Sequence, residues 1–80
     1  VNRDELRKAV LEELSDVAPD IDMATFDDRA SLQDEYDLDS MDLLNLAAAV
    51  HKRLGVNIPD QDYARMRCVA DLLDYLQERV

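Results

Sequence analysis

The residues of this chain whose types and spacing could do chemistry are concentrated in Asp37-Leu38-Asp39-Ser40-Met41-Asp42, where a long acidic stretch gives way to a strongly helical one. A serine at a helix start is commonly an N-cap, because its oxygen accepts an otherwise unpaired backbone amide. That structural reading of Ser40 stands beside a chemical one. A nucleophilic serine needs an adjacent base, and His51, the single histidine, lies eleven residues further along the same segment. At 1.5 Å per residue this is about 16 Å of helix, too far to reach. Gly-x-Ser-x-Gly, a glycine-rich phosphate loop and His-Glu-x-x-His are all missing, and the chain has one glycine. Chemistry at Ser40 must then be done by another protein, which supplies the base. A phosphodiester formed there would lie beside the positive end of the helix dipole. The chain is therefore expected to be the substrate of such a protein and not an enzyme itself.

The clustered carboxylates raise calcium as a rival. Asp37, Asp39 and Asp42 do not follow the alternating ligands of an EF-hand, and neither the central glycine nor a closing glutamate is present. No metal site is expected. Cys68 reads as a half-buried residue at a helix start, although Arg65 and Arg67 would lower the pKa of a reactive thiol. One cysteine excludes an intrachain disulfide framework and a multi-thiolate zinc cluster, which points to a reducing compartment, the cytoplasm by default.

The elements that must hold Ser40 follow from periodicity. Leu6, Val10, Leu11 and Leu14 recur at helical spacing, predicting an amphipathic helix over Asp4 to Leu14. Ser15 to Asp39 loses the pattern, with Ile21, Met23, Phe26, Leu32 and Leu38 as isolated anchors. A connection of that length is functional or hides short ordered turns, for which Ser31-Leu32-Gln33-Asp34 is a candidate. Ser40 to Leu54 is the strongest helix, stopped by Gly55, with Lys52 and Arg53 suiting its C-terminal end. Pro59 opens a short turn through Asp60 to Arg65. A last helix runs from about Cys68 to Arg79, with Val69, Leu72, Leu73 and Leu76 as its buried stripe and Tyr75 at the edge. Tyr36, Tyr63 and Tyr75 read as boundary residues and His51 as a surface residue. No run alternates with period two, so the fold class is all-α: one domain over 1–80, a small bundle of three main helices plus a short one.

Nineteen acidic residues against nine basic ones give a net charge of -10 and a pI near 4.2. Such a chain does not bind nucleic acid or an anionic membrane by bulk electrostatics, and its partners should present basic surfaces. No run approaches the roughly 18 apolar residues of a membrane span, and Val1-Asn2-Arg3-Asp4-Glu5 carries no apolar signal core. A monomer is expected.

With these residues in view, the chain resembles the acyl carrier proteins. Asp39-Ser40-Met41 at the opening of a helix is similar to the family's Asp-Ser-Leu/Met signature. The order of elements resembles the family along the whole length, including Ile58-Pro59-Asp60 before the short turn and Asp74-Tyr75-Leu76 in the last helix. The resemblance implies a four-helix carrier fold in which Ser40 receives 4'-phosphopantetheine from coenzyme A by the action of a phosphopantetheinyl transferase. It also implies that the arm presents acyl chains as thioesters to loading and using enzymes of fatty-acid, lipid or polyketide-type biosynthesis. Related peptidyl carriers have Gly-Gly-His or Gly-Gly-Asp before the serine where this chain has Asp37-Leu38-Asp39, which favours acyl cargo.

At 100° per residue, Leu43, Leu46, Ala47, Val50 and Leu54 share one sector, while Met41, Leu44 and Ala48 share another roughly 120° away. The second sector is either a second buried side or, by resemblance, a patch that partners grip together with Asp39 and Asp42. By the same resemblance, Asp39 is the acid presented to the transferase and its magnesium ion. Housekeeping carriers tend to have glutamates where this helix has Asn45, His51, Lys52 and Arg53, which points to a specialised carrier. The alternative is an acidic helical protein-interaction module without a prosthetic group, with Ser40 as a plain cap.

Overall fold

The computed structural model describes residues Asn2 to Arg79; Val1 and Val80, the ends of the expected domain and the first residue of the segment read for a signal, lie outside the described residues. Helix α1 (Arg3–Val17) is capped by Asn2, whose side chain accepts from the Glu5 amide at 2.9 Å, and it ends where Pro19 follows Ala18. It runs one turn past the expected Leu14 because Val17 and Ala18 still pack against the core. Among the described residues there is no strand, and the helices gather Leu6, Val10, Leu14, Leu46, Val50, Leu72 and Leu76 into one core at 0–1% exposure. The all-helical carrier-like bundle expected from the sequence is the observed architecture.

The long connection is ordered by several small devices. It contains a 3-10 turn (Met23–Thr25) and a four-residue helix α2 (Leu32–Glu35), capped by Ser31, whose hydroxyl accepts from the Asp34 amide at 3.2 Å. This is the segment the sequence offered as a short turn. Arg7 on α1 holds Asp28 through two bonds of 2.7 and 3.0 Å, and that hydrogen bond raises the Arg7 pKa. The Leu32 amide donates to the Arg67 carbonyl, and the Ala70 amide to that of Asp28, each at 2.9 Å. The connection is thus fastened to both α1 and the start of the last helix.

Helix α3 (Ser40–Leu54) has the expected bounds, and Gly55 ends it at φ 74°, a left-handed conformation that glycine enters without steric cost. Leu43, Leu46, Ala47 and Val50 are buried as their sector required, whereas Leu54 is only half-buried at the rim of the core. A 3-10 segment (Asp60–Met66) follows Pro59 and leads to helix α4 (Val69–Arg79). Two further side chains, Tyr75 and Cys68, differ from expectation. Tyr75, read as an edge residue, is 1% exposed, because the 3-10 segment lies over it and Asp62 accepts its hydroxyl proton at 2.7 Å. Cys68, read as half-buried, is 1% exposed in the turn that enters α4. Ser40 is the first residue of its helix and not its cap.

Candidate functional site

The approach to Ser40 is built by the three residues before it. Leu38 is buried at 3% exposure and its amide donates to the Leu32 carbonyl at 3.1 Å, which fixes the chain against α2. To make that turn Asp37 takes φ 57°, a left-handed conformation that aspartate tolerates better than most residues. Asp39 is then extended, at φ -97° and ψ -178°, the ordinary conformation of an N-cap. Its Oδ1 accepts from the Asp42 amide at 2.9 Å, and the Asp42 Oδ2 accepts from the Asp39 amide at 3.3 Å. The two carboxylates form a reciprocal capping box, with aspartate in place of the usual glutamate at the third helical position.

The consequence falls on the serine. Ser40 is exposed, and among the described residues no group hydrogen-bonds its side chain, since Asp39 has taken the capping role. The sequence weighed Ser40 as a plain cap; its neighbour does that work. The Asp-x-x-Asp spacing of 39 and 42 was the available signal for this arrangement. Nothing in the spacing pointed to the left-handed Asp37.

The remaining residues singled out for partners lie around this point. Met41 is 61% exposed, Leu44 41%, and Ala48 is also exposed, so the second sector of α3 is open and not a second buried side. Asp39 is exposed and Asp42 half-buried. Below Leu44, a groove of about 270 Å³ separates α3 from the segment after it, between Leu44, Ala48 and His51 on one wall and Ile58, Pro59 and Tyr63 on the other. Burial, with Asp60 beside it, raises the Tyr63 hydroxyl pKa, and the Asp60 carboxylate lines the same wall. Asn57 at the groove had no signal in the sequence, and Tyr63 was legible there only as a boundary residue. A wider open groove of about 900 Å³ runs along α1 past Lys8, Glu12 and Arg53, and none of its lining comes from the first turn of α3. Among the described residues no group of three or more His, Cys, Asp or Glu side chains could hold a metal ion.

The family model for the phosphopantetheine attachment site matches residues 4–76, which is nearly the whole of this helical bundle. The chain belongs to the acyl carrier protein family. It is 32% identical over 74 residues to an acyl carrier protein of Brachyspira hyodysenteriae, covering 88% of this chain and 95% of the relative. It is 30% identical over 69 residues to the meromycolate extension acyl carrier proteins of Mycobacterium leprae and Mycobacterium tuberculosis, covering 86% of this chain. This chain spans 56% of the length of those two mycobacterial relatives. The prosthetic group of the family is a covalently attached 4'-phosphopantetheine, and the residues of this carrier fit it: an exposed serine hydroxyl, left unbonded by its own helix, opens α3. No helix among the described residues is long and apolar enough to cross a membrane.

Proposed function

We propose that Ser40 is the attachment point and that the chain carries acyl groups as thioesters on the arm, without being an enzyme itself. The observation that carries this reading is the exposed Ser40 hydroxyl at the first position of α3, with the cap supplied by Asp39. A phosphopantetheinyl transferase supplies the base that His51 is too distant to be. The Ser40 Oγ bonds to the phosphorus of the pantetheine phosphate in coenzyme A, the bond to adenosine 3',5'-bisphosphate breaks, and the hydroxyl proton goes to the transferase. The arm supplies the terminal thiol that forms the thioester. Asp39, with one carboxylate oxygen in the cap and the other outside it, faces the transferase and its magnesium ion. Met41, Asp42, Leu44 and Ala48 form the surface that partner enzymes with basic docking surfaces grip, an apolar patch edged by acid.

The carrier is a specialised one acting as a monomer in the cytoplasm, in fatty-acid, lipid or polyketide-type biosynthesis. His51, Lys52 and Arg53 at the lower end of α3 support a dedicated partner set, as do relatives named for meromycolate extension. A plain interaction module without a prosthetic group would share this fold and charge, and modification of Ser40 is what discriminates the two readings.

The decisive measurement is intact-protein mass after incubation with coenzyme A, magnesium and a broad-specificity phosphopantetheinyl transferase. The wild type gains one phosphopantetheinyl group and Ser40→Ala gains none. An unmodified wild type under conditions that load a control carrier, or modification at Ser15 or Ser31, overturns the assignment.

A further inference from the structure

Two good N-caps stand side by side at the start of α3, and only one of them can cap. Serine and aspartate are nearly equal in this role, so intrinsic preference does not decide between Asp39 and Ser40. If the helix began one residue later, Ser40 would be the cap, and its Oγ would accept from the amide of Asp42 or Leu43. The hydroxyl needed for attachment would then be tied to its own backbone. In the structure the Leu43 amide instead donates to the Asp39 carbonyl at 3.1 Å, so the helix has already begun at Ser40. What tips the balance is the bond that the Asp39 amide donates in return to the Asp42 carboxylate, a second bond that Ser40 as cap could not make to apolar Leu43 three residues on.

We propose that Asp42 is a positioning residue for attachment: by closing the capping box on Asp39 it holds the cap one residue upstream and so keeps the Ser40 hydroxyl free to react. This rests on Ser40 being the attachment point. The anchoring of Leu38 and the left-handed turn at Asp37 serve the same end, delivering Asp39 in the extended conformation a cap requires.

The test compares Asp42→Ala with Asp42→Asn. Both remove the charge, and with it any attraction to a basic transferase, but the asparagine carbonyl can still accept from the Asp39 amide. Loading of Ser40 is followed by intact mass, using coenzyme A, magnesium and a broad-specificity transferase. The alanine variant should load at least about tenfold more slowly than the asparagine one, within the range that small misplacements of a reacting group produce. The ¹³Cα and ¹³Cβ shifts of Ser40 should move from helical towards extended values in Asp42→Ala alone, and a circular dichroism melt establishes that both variants are folded. Equal loading of the two variants, or a Ser40 that stays helical in Asp42→Ala, overturns the positioning role while leaving the attachment site intact. If the wild type itself is not loaded, the attachment reading fails first and this one falls with it.

Discussion

Among the described residues, Met41 and Leu44 are the two large apolar side chains that the fold leaves exposed, and both stand within about one turn of Ser40 on the same side of α3. Val50, on the same helix, is 1% exposed inside the core. The same substitution at the two positions separates recognition from folding. Leu44→Asp should leave the circular dichroism spectrum intact and change stability by no more than about 0.5 kcal/mol, as surface changes do, while slowing loading of Ser40 strongly. Val50→Asp buries an unpaired carboxylate and should cost about 4 kcal/mol or more, a large part of the roughly 5–15 kcal/mol that holds a domain together. A Leu44→Asp variant that melts as early as Val50→Asp would place Leu44 in the core in solution. Wild-type loading by Leu44→Asp would remove it from the docking surface.

At the scale of elements, the 3-10 segment is held to α4 through Tyr75. Its hydroxyl donates to Asp62 at 2.7 Å, and the Arg79 guanidinium lies over its ring at 3.6 Å, with Arg65 beyond at 5.1 Å. Tyr75→Phe removes one hydrogen bond and keeps the ring, so it should cost about 1 kcal/mol, or a fall of about 4–8 °C in Tm for a domain of this size. Burial, with the bond to Asp62 second, raises the Tyr75 pKa above its usual 10. The unfolded tyrosine therefore loses its proton first, and the stability that this residue contributes is complete below pH 10 and is lost as pH rises from there through the folded pKa. Tyr63, raised by burial near Asp60, acts in the same direction. Thermal melts from pH 8 to 11 should fall above 10 in the wild type and less steeply in Tyr75→Phe. Equal slopes would mean that Tyr75 titrates normally.

The same elements show how far the chain could be read before its structure. The α3 helix was legible because its apolar period, Gly55 and the acidic residues before it all agree on its bounds. Leu6, Val10 and Leu14 likewise announced α1. The path from Ser15 to Asp39 was not legible, because its fasteners pair distant residues, Arg7 with Asp28 and Leu32 with Arg67, and no local period encodes them. Tyr75 was misjudged for a related reason. Its helical position put it at the margin of the α4 stripe, and only the arrival of the 3-10 segment above it makes that margin interior. At the site, Ser40 was evident from its neighbours, while the choice between it and Asp39 as cap depended on a one-residue shift that composition does not resolve.

For the molecule as a whole, charge is the unbalanced quantity. Arg3, Arg7, Arg53, Arg65, Arg67 and Arg79 make ion pairs with Asp74, Asp28, Glu12, Glu78, Asp71 and Asp62. Those six acids are a minority of the nineteen. Salt weakens the pairs, which destabilises, and it weakens repulsion among the other carboxylates, which stabilises. Exposed pairs contribute only about 0–1 kcal/mol each, and the unpaired acids outnumber them, so the second effect should win. The length scale makes the range testable. The radius of gyration is 11.3 Å, close to the screening length of about 10 Å at 0.1 M salt and well below the roughly 30 Å at 0.01 M. Raising salt from 0.01 to 0.1 M therefore brings screening down to the size of the molecule, and Tm should rise by about 4 °C or more, equivalent to roughly 1 kcal/mol. Millimolar magnesium should raise it further by neutralising the acids between Asp34 and Asp42. Lys52 makes no ion pair among the described residues, so Lys52→Glu, which takes the charge from -10 to -12, should steepen the dependence on salt without breaking a contact. A Tm that is flat in salt for both proteins would mean that the ion pairs balance the repulsion, and a falling Tm that they dominate it.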